Sequence, residues 1–504
     1  MIHNIRYRLM ALLAAVTISA TSCDMDKFLD VNETEDFPTE TTSDKRLPGI
    51  QGMVATSLYQ HTLRDSYIVQ YRTTLWGTST FDDRWDYRNT YRIGEWRRHY
   101  FDVGGNVFNM IERSTEDGDN NYQGVGKSIL AYSTLLATDH FGDMPVYEAF
   151  TGNVNPTYDA QEEVYNYIFG LLDEAEQNYA NANASVDAPM DASIDLIYEG
   201  DMGKWKAFNH ALKAKALLHL TAIQPDNYAK VLEELDKAQG MFTDAVWSYS
   251  ESEGESNAWR INPMGPSKAR PQWDHIGNDL NNSVPTTFFM SKMKANSVQD
   301  PRLPFLMMPA ENSSEEDVEM FSGILVSSSI GVNTREDFPS LYEGHWTKNT
   351  SALPILTKEE LKFMEAEAAF QTGDVSRAFA AYQAGIRMNM ERLGVSPEET
   401  TAFLSSELAA TSASELKIYH IMEQKYVALY LSPETWTDMR RYNFDTAVYR
   451  GITYPEAVID ELGGKWISRL PYDPQTEYIY NLPEIERLGA QAPDWVVKKM
   501  WWQK

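Results

Sequence analysis

Seven aromatic rings stand within the 25 residues of WGTSTFDDRWDYRNTYRIGEWRRHY, positions 76–100. Trp76, Phe81, Trp85, Tyr87, Tyr91, Trp96 and Tyr100 alternate there with Asp82, Asp83, Arg84, Arg88 and Arg92. A sugar ring presents an apolar C–H face and a rim of hydroxyls, so flat aromatic faces flanked by charged hydrogen-bonding groups suit it. Trp76, Asp83, Arg84, Trp85, Tyr87 and Trp96 are therefore candidate glycan contacts. A second aromatic stretch carries Trp247, Tyr249, Trp259 and Trp273, and from it Trp259 and Trp273 join the candidates. Two such segments meeting would make a glycan platform. The same composition also suits an internal core in which Arg stacks on Trp. The charges crowded around Trp85 favour exposure of at least one of Trp85 and Trp96, because so many charges are rarely buried together.

Other chemistry finds weaker support. NYQGVGKS (121–128) brushes against a phosphate-binding loop, but Asn121 stands where the pattern needs Gly, and no strand precedes it. Asp119, Asn121 and Gln123-Gly124 suggest a calcium loop whose twelfth position is Leu130 instead of a bidentate Glu. His420 and Glu423 form no zinc-binding helix motif, and no histidine clusters with cysteine. Carboxylates abound, 73 in all, so a pair at glycosidase separation is expected by chance and singles out nothing. No catalytic residue, metal or cofactor is expected.

One thiol remains. Cys23, the only cysteine, follows Arg6 and Arg8, a 12-residue apolar run from Leu9 to Ala20, and the small residues Thr21 and Ser22. The run is shorter than the roughly 20 residues that span a bilayer and fits a secretory signal. A cysteine directly after the small residues stands where a bacterial lipoprotein signal puts its acylated residue. The alternative is a reduced thiol beside an ordinary cleavage site. Lipidation leaves no disulfide, so the 504-residue chain must be held by burial alone. Its composition, 43% hydrophobic and 12% aromatic, allows that. A net charge of −29 argues against a nucleic-acid partner.

The elements that must position these residues read as helices. Trp205, Phe208, Leu212 and Ala216 share one helical stripe, and Val231, Leu232 and Leu235 follow after Pro225-Asp226 until Gly240. Thr357 caps a helix with Glu360 as capping-box partner. Leu361, Met364 and Ala368 form its apolar face, and Val375, Phe379, Tyr382 and Ile386 return after Gly373-Asp374. Asp159 to Tyr179 and Ser414 to Leu431 follow the same pattern. Paired helices with tight turns and small crossing residues look like a degenerate array of tetratricopeptide units, or else an ordinary helical bundle. Stretches 113–121, 248–273 and much of 308–352 lack any period, and GILVSS (323–328) suits a short strand.

Several blocks together resemble the SusD-like (SusD/RagB) starch-binding-type outer-membrane lipoproteins of Bacteroidetes. SCDMDKFLDVNETED is similar to the family's lipidated cysteine and acidic leader, and GKSILAYSTLLATDHFGDMPVYEA (126–149) to its D-x-F-G-D-x-P-Y helix end. WKAFNHALKAKALLHL (205–220), QDPRLPF (299–305), EQKYVALYLSPETWTDMRRYNF (423–444) and RLPYDPQTEYIYN (469–481) follow in the expected order. The resemblance implies a signal peptide at 1–22, a lipidated leader at 23–45 and one large all-α domain at 46–504. That domain would hold four tetratricopeptide-like helix pairs, long ligand-binding loops and a few short strands. It further implies an outer-membrane lipoprotein facing the cell exterior. Such a protein captures glycans, or in some members peptides, for a TonB-dependent (SusC-like) transporter without altering them. A surface glycosidase on an all-helical scaffold is the remaining alternative.

Overall fold

The computed structural model describes residues 41–75, 81–87, 93–249, 260–266, 280–296, 298–328 and 334–503. Cys23, Trp76, Trp259 and Trp273 lie outside them.

The described helices of eight residues or more are α1 (Ser43–Ile68), α2 (Gly105–Glu116), α3 (Asn120–Phe141), α4 (Gln161–Asn181), α5 (Met202–His219) and α6 (Asn227–Ala238). They continue with α7 (Lys358–Gln371), α8 (Val375–Leu393), α9 (Pro397–Leu404), α10 (Ile418–Ala428) and α11 (Glu434–Arg441). Side chains mark several starts. Asp119, Asp201, Thr357, Asp374 and Ser396 each accept a first-turn backbone N–H, of α3, α5, α7, α8 and α9 respectively. Such a cap satisfies a donor the helix cannot satisfy itself. Asp119 is thereby committed to a cap. Its other oxygen accepts from the Ala188 N–H at 2.8 Å, which accounts for its place in the calcium-like pattern.

α3 packs on α4, α5 on α6 and α7 on α8, and contacts of α4 with α5 and of α6 with α7 join the pairs into an array. Close crossings need small residues. A Cβ at Gly124 would lie 2.7 Å from the Tyr179 ring, and one at Gly385 would lie 3.0 Å from Phe363. The fold is the mostly helical, paired-helix architecture expected. Strands are few and short. β1 (Arg72–Thr74) pairs antiparallel with β3 (Ser283–Pro285), β2 (Ala245–Trp247) with β6 (Leu353–Leu356), and β4 (Lys294–Ala295) with β5 (Val298–Gln299). One apolar core runs from Leu47 on α1 to Trp502 near the C-terminus.

Three local expectations are corrected. Residues 113–116 complete α2, and α3 begins at Asn120, so the polar run 113–121 is mostly helix around a turn. GILVSS yields only an isolated bridge between Ile324 and Thr286. Thr357 does cap α7, accepting from the Glu360 N–H at 3.4 Å. The Glu360 carboxylate, however, takes Lys215 at 2.8 Å. A buried cation outcompetes the neutral backbone N–H a capping box would offer.

That ion pair belongs to a charged layer inside the helical array. Lys215 also lies 2.8 Å from Glu434, and His219 lies 2.9 Å from Glu434 and 2.8 Å from Asp139. Burial opposes the His219 charge, yet Glu434 and Asp139 lift its pKa to about 9. Nearby, Arg441 spans Glu367 (2.8 Å) and Asp438 (2.6 Å). Removing one partner of such a pair strands a buried charge. These residues join α3, α5, α7 and α11, so the layer fixes how helix pairs from distant parts of the chain meet.

Candidate functional site

β1 and β3 bring together chain segments that lie far apart in sequence. Leu75 follows β1 and donates its N–H to the Asn282 carbonyl at 3.0 Å. Arg335 donates from Nε to the Asn281 carbonyl at 2.7 Å. Ser327 donates its N–H to the Thr73 hydroxyl at 3.0 Å and its own hydroxyl to the Asp83 carbonyl at 2.7 Å. A small apolar cluster of Leu75, Val284 and Ile324, with Phe338 against it, seals the junction. The described residue before Trp76 is thus paired with the chain that follows the segment holding Trp273. Three residues after Trp259, Asn262 donates to the carbonyls of Trp346 (3.1 Å) and Ser351 (2.9 Å).

The other candidates face inward, with one exception. Asp83 is buried, its Oδ1 accepting from the Thr73 hydroxyl at 2.8 Å and its Oδ2 from the Thr74 hydroxyl at 2.5 Å. Arg84 is exposed, and its carbonyl accepts the Ile459 N–H at 3.1 Å. Trp85 is only 1% exposed and packs on Trp466 (5.6 Å between rings) and edge-on against Tyr454 (5.5 Å). Tyr87 is buried, with the Arg64 guanidinium 5.3 Å from its ring centre. Trp96 is 3% exposed and packs against Tyr100, Phe141, Tyr158 and Tyr472. The expectation that Trp85 or Trp96 stands free is therefore corrected. Charge density around a tryptophan failed as a guide because Asp83 finds hydroxyl partners and Arg84 turns to solvent. The rings covering Trp85 come from about 370 positions further on, beyond the reach of any local pattern. Trp247 and Tyr249 are structural too. The Trp247 ring lies against Gly52 of α1, and Tyr249 is buried.

The family motifs are scaffold. Asp300 and Arg302 of QDPRLPF are both fully buried, paired at 2.6 Å, and Arg302 also donates to Asn389 of α8 (3.1 Å) and Gln424 of α10 (2.5 Å). Asp139 of the D-x-F-G-D run accepts from Tyr165 at 2.6 Å, and Asp143 accepts the Gln161 N–H at 3.0 Å. Arg440 of α11 donates to the Asp139 carbonyl.

Trp96 nevertheless borders open space. A cleft of about 470 Å³ lies between the helical turn at 94–97, the loop 145–156 and the turn at 477–480. Two of its rings, Phe101 and Tyr480, are each 68% exposed. Sequence reasoning passed over both. The available signal was the run Tyr478-Ile479-Tyr480, three large side chains in a row beside Glu477. By contrast, two cavities that Leu58 of α1 and Ile355 of β6 both line are water-sized, about 30 and 20 Å³, too small for a ligand.

Paired helices packed into an array, with a few short two-stranded sheets, define a helical-repeat protein. The chain belongs to the SusD-like family, whose model, described as starch-binding and associating with the outer membrane, matches residues 39–470. A chitin-binding protein superposes with a TM-score of 0.72 at 19% identity, over 92% of this chain and all of that one. A SusD homologue from Bacteroides fragilis gives 0.65 at 22%, over 90% and 100%. A chitin-binding SusD homologue from Flavobacterium johnsoniae gives 0.68 at 18%, over 91% and 98%. A comparison with curated proteins finds no match. No helix among the described residues is long and apolar enough to cross a membrane.

Proposed function

We propose that the protein is a non-enzymatic, lipid-anchored surface receptor that captures glycans and delivers them to a TonB-dependent (SusC-like) outer-membrane transporter. The observation that supports this reading is the pairing of β1 with β3, which joins the strand leading into Trp76 to the strand that follows the segment holding Trp273. Trp76 and Trp273 supply stacking faces, Trp259 adds a third, and exposed Arg84 donates to hydroxyls at the rim. Family membership and the two chitin-binding structural relatives support a polysaccharide ligand. Acylated Cys23 is the tether, and the stacked helix pairs offer an extended docking face for the barrel.

Calorimetric titration of the mature chain with malto- and chito-oligosaccharides tests the reading. Binding with the sugar recovered intact is expected. W273A should weaken binding about tenfold or more without unfolding the protein, as removal of an aromatic anchor does. Cleavage of the sugar, or unchanged affinity in W76A, W259A and W273A alike, contradicts it. Independently, C23A should leave the outer-membrane fraction, and unchanged fractionation counts against the lipid anchor.

A further inference from the structure

The cleft beside Trp96 has the features of a second binding site. Its volume, about 470 Å³, falls within the roughly 300–1,000 Å³ of ligand pockets. Phe101 and Tyr480, both 68% exposed, line it, as does Val154 at 82%, and Ile479 beside Tyr480 is 64% exposed. So much large apolar side chain around one hollow costs free energy in water, and a patch of this kind marks an interaction site.

Its polar groups are those a sugar needs. The Arg97 guanidinium lies over the Phe101 ring at 4.8 Å from the centroid, which fixes both side chains. Arg97 has no carboxylate partner among the described residues, although the chain carries 73 acidic residues against 44 basic ones. The floor is rigid. Glu477 accepts from Trp96 Nε1 at 2.9 Å and, through its other oxygen, from the Tyr158 hydroxyl. That carboxylate is committed to holding the indole and is not left as an isolated negative charge.

We infer that this cleft is a second saccharide subsite, in which a neutral sugar ring stacks on Phe101 or Tyr480 while the exposed Arg97 guanidinium hydrogen-bonds its hydroxyls. The inference rests on the glycan-binding reading but uses none of the residues proposed for the platform. A chain with net charge −29 disfavours an acidic sugar here.

The test compares wild type, F101A/Y480A, W76A/W259A/W273A and the combination of all five changes. Each is titrated calorimetrically with malto- and chito-oligosaccharides of six units, while the Trp96 indole N–H signal is followed by NMR. Because Phe101 and Tyr480 are exposed, F101A/Y480A should melt within the range of ordinary surface variants, and the undisturbed Trp96 signal in the free protein verifies the fold. The expected result is residual weak binding in W76A/W259A/W273A, accompanied by a shift of the Trp96 signal. That binding disappears in the combined variant. Unchanged wild-type-like affinity and stoichiometry in F101A/Y480A, or a Trp96 signal that never moves while sugar binds, overturns the cleft and leaves the platform standing. Wild type that binds none of the sugars overturns both.

Discussion

The charged layer between the helix pairs and the Trp96 cleft treat polar groups in opposite ways. In the layer, Lys215 has two carboxylates, Glu434 has two cations, and His219 sits between two acids. Burial makes such completeness obligatory, since a stranded charge there costs several kcal/mol. At the cleft, the Arg97 guanidinium has no carboxylate partner among the described residues, and the Phe101 and Tyr480 rings face solvent. A structural site is closed on itself. A binding site carries capacity that only a ligand fills. Two sets of aromatics that look alike in sequence separate in the same way: Trp85 and Tyr87 are buried in the core, while Phe101 and Tyr480 are exposed at the cleft.

The largest expected effects fall on the closed side. R302M leaves Asp300 buried without its partner and should cost about 3–5 kcal/mol in urea unfolding. W85A should cost a similar amount, about 3–5 kcal/mol, as a lost buried ring does. A W85A protein of undiminished melting temperature would return Trp85 to the list of exposed contacts.

A pH effect of intermediate size comes from His219. Its folded pKa of about 9 lies above the value near 6.5 of an unfolded histidine. The stabilisation it brings is therefore complete below pH about 6.5 and disappears as pH rises through about 9. Up to about 3 kcal/mol is at stake. Unfolding free energy should fall across that window in wild type, and H219Q should flatten the fall. A slope that survives in H219Q assigns the effect to another group.

T357A should remove about 1 kcal/mol by uncapping α7. The smallest effect is expected at the open face, where F101A should change stability by less than about 0.5 kcal/mol, as exposed substitutions usually do. A large loss there would show that the ring is packed in solution.

Sequence pattern reached the scaffold well where local physics decides. The stripe Trp205–Phe208–Leu212–Ala216 is buried on α5, Thr357 caps α7, and Gly240 ends the α6 unit in a left-handed backbone, φ +90°. It failed where partners come from afar. Glu360 is taken by Lys215, 145 positions away, and Trp85 is covered by Tyr454 and Trp466. Composition alone cannot distinguish an aromatic cluster that meets sugar from one that meets the rest of the core. The cleft was illegible for the same reason, since its walls come from residues 96–101, 145–156 and 476–481.

The most direct measurement of the central claim is oligosaccharide affinity in W85A and W273A, determined side by side on the folded fraction of each. W85A should bind as wild type does despite its lower stability. W273A should melt as wild type does and lose about tenfold or more in affinity. The reverse outcome, affinity lost in W85A and kept in W273A, would contradict the division between rings that hold the fold and rings that hold the sugar.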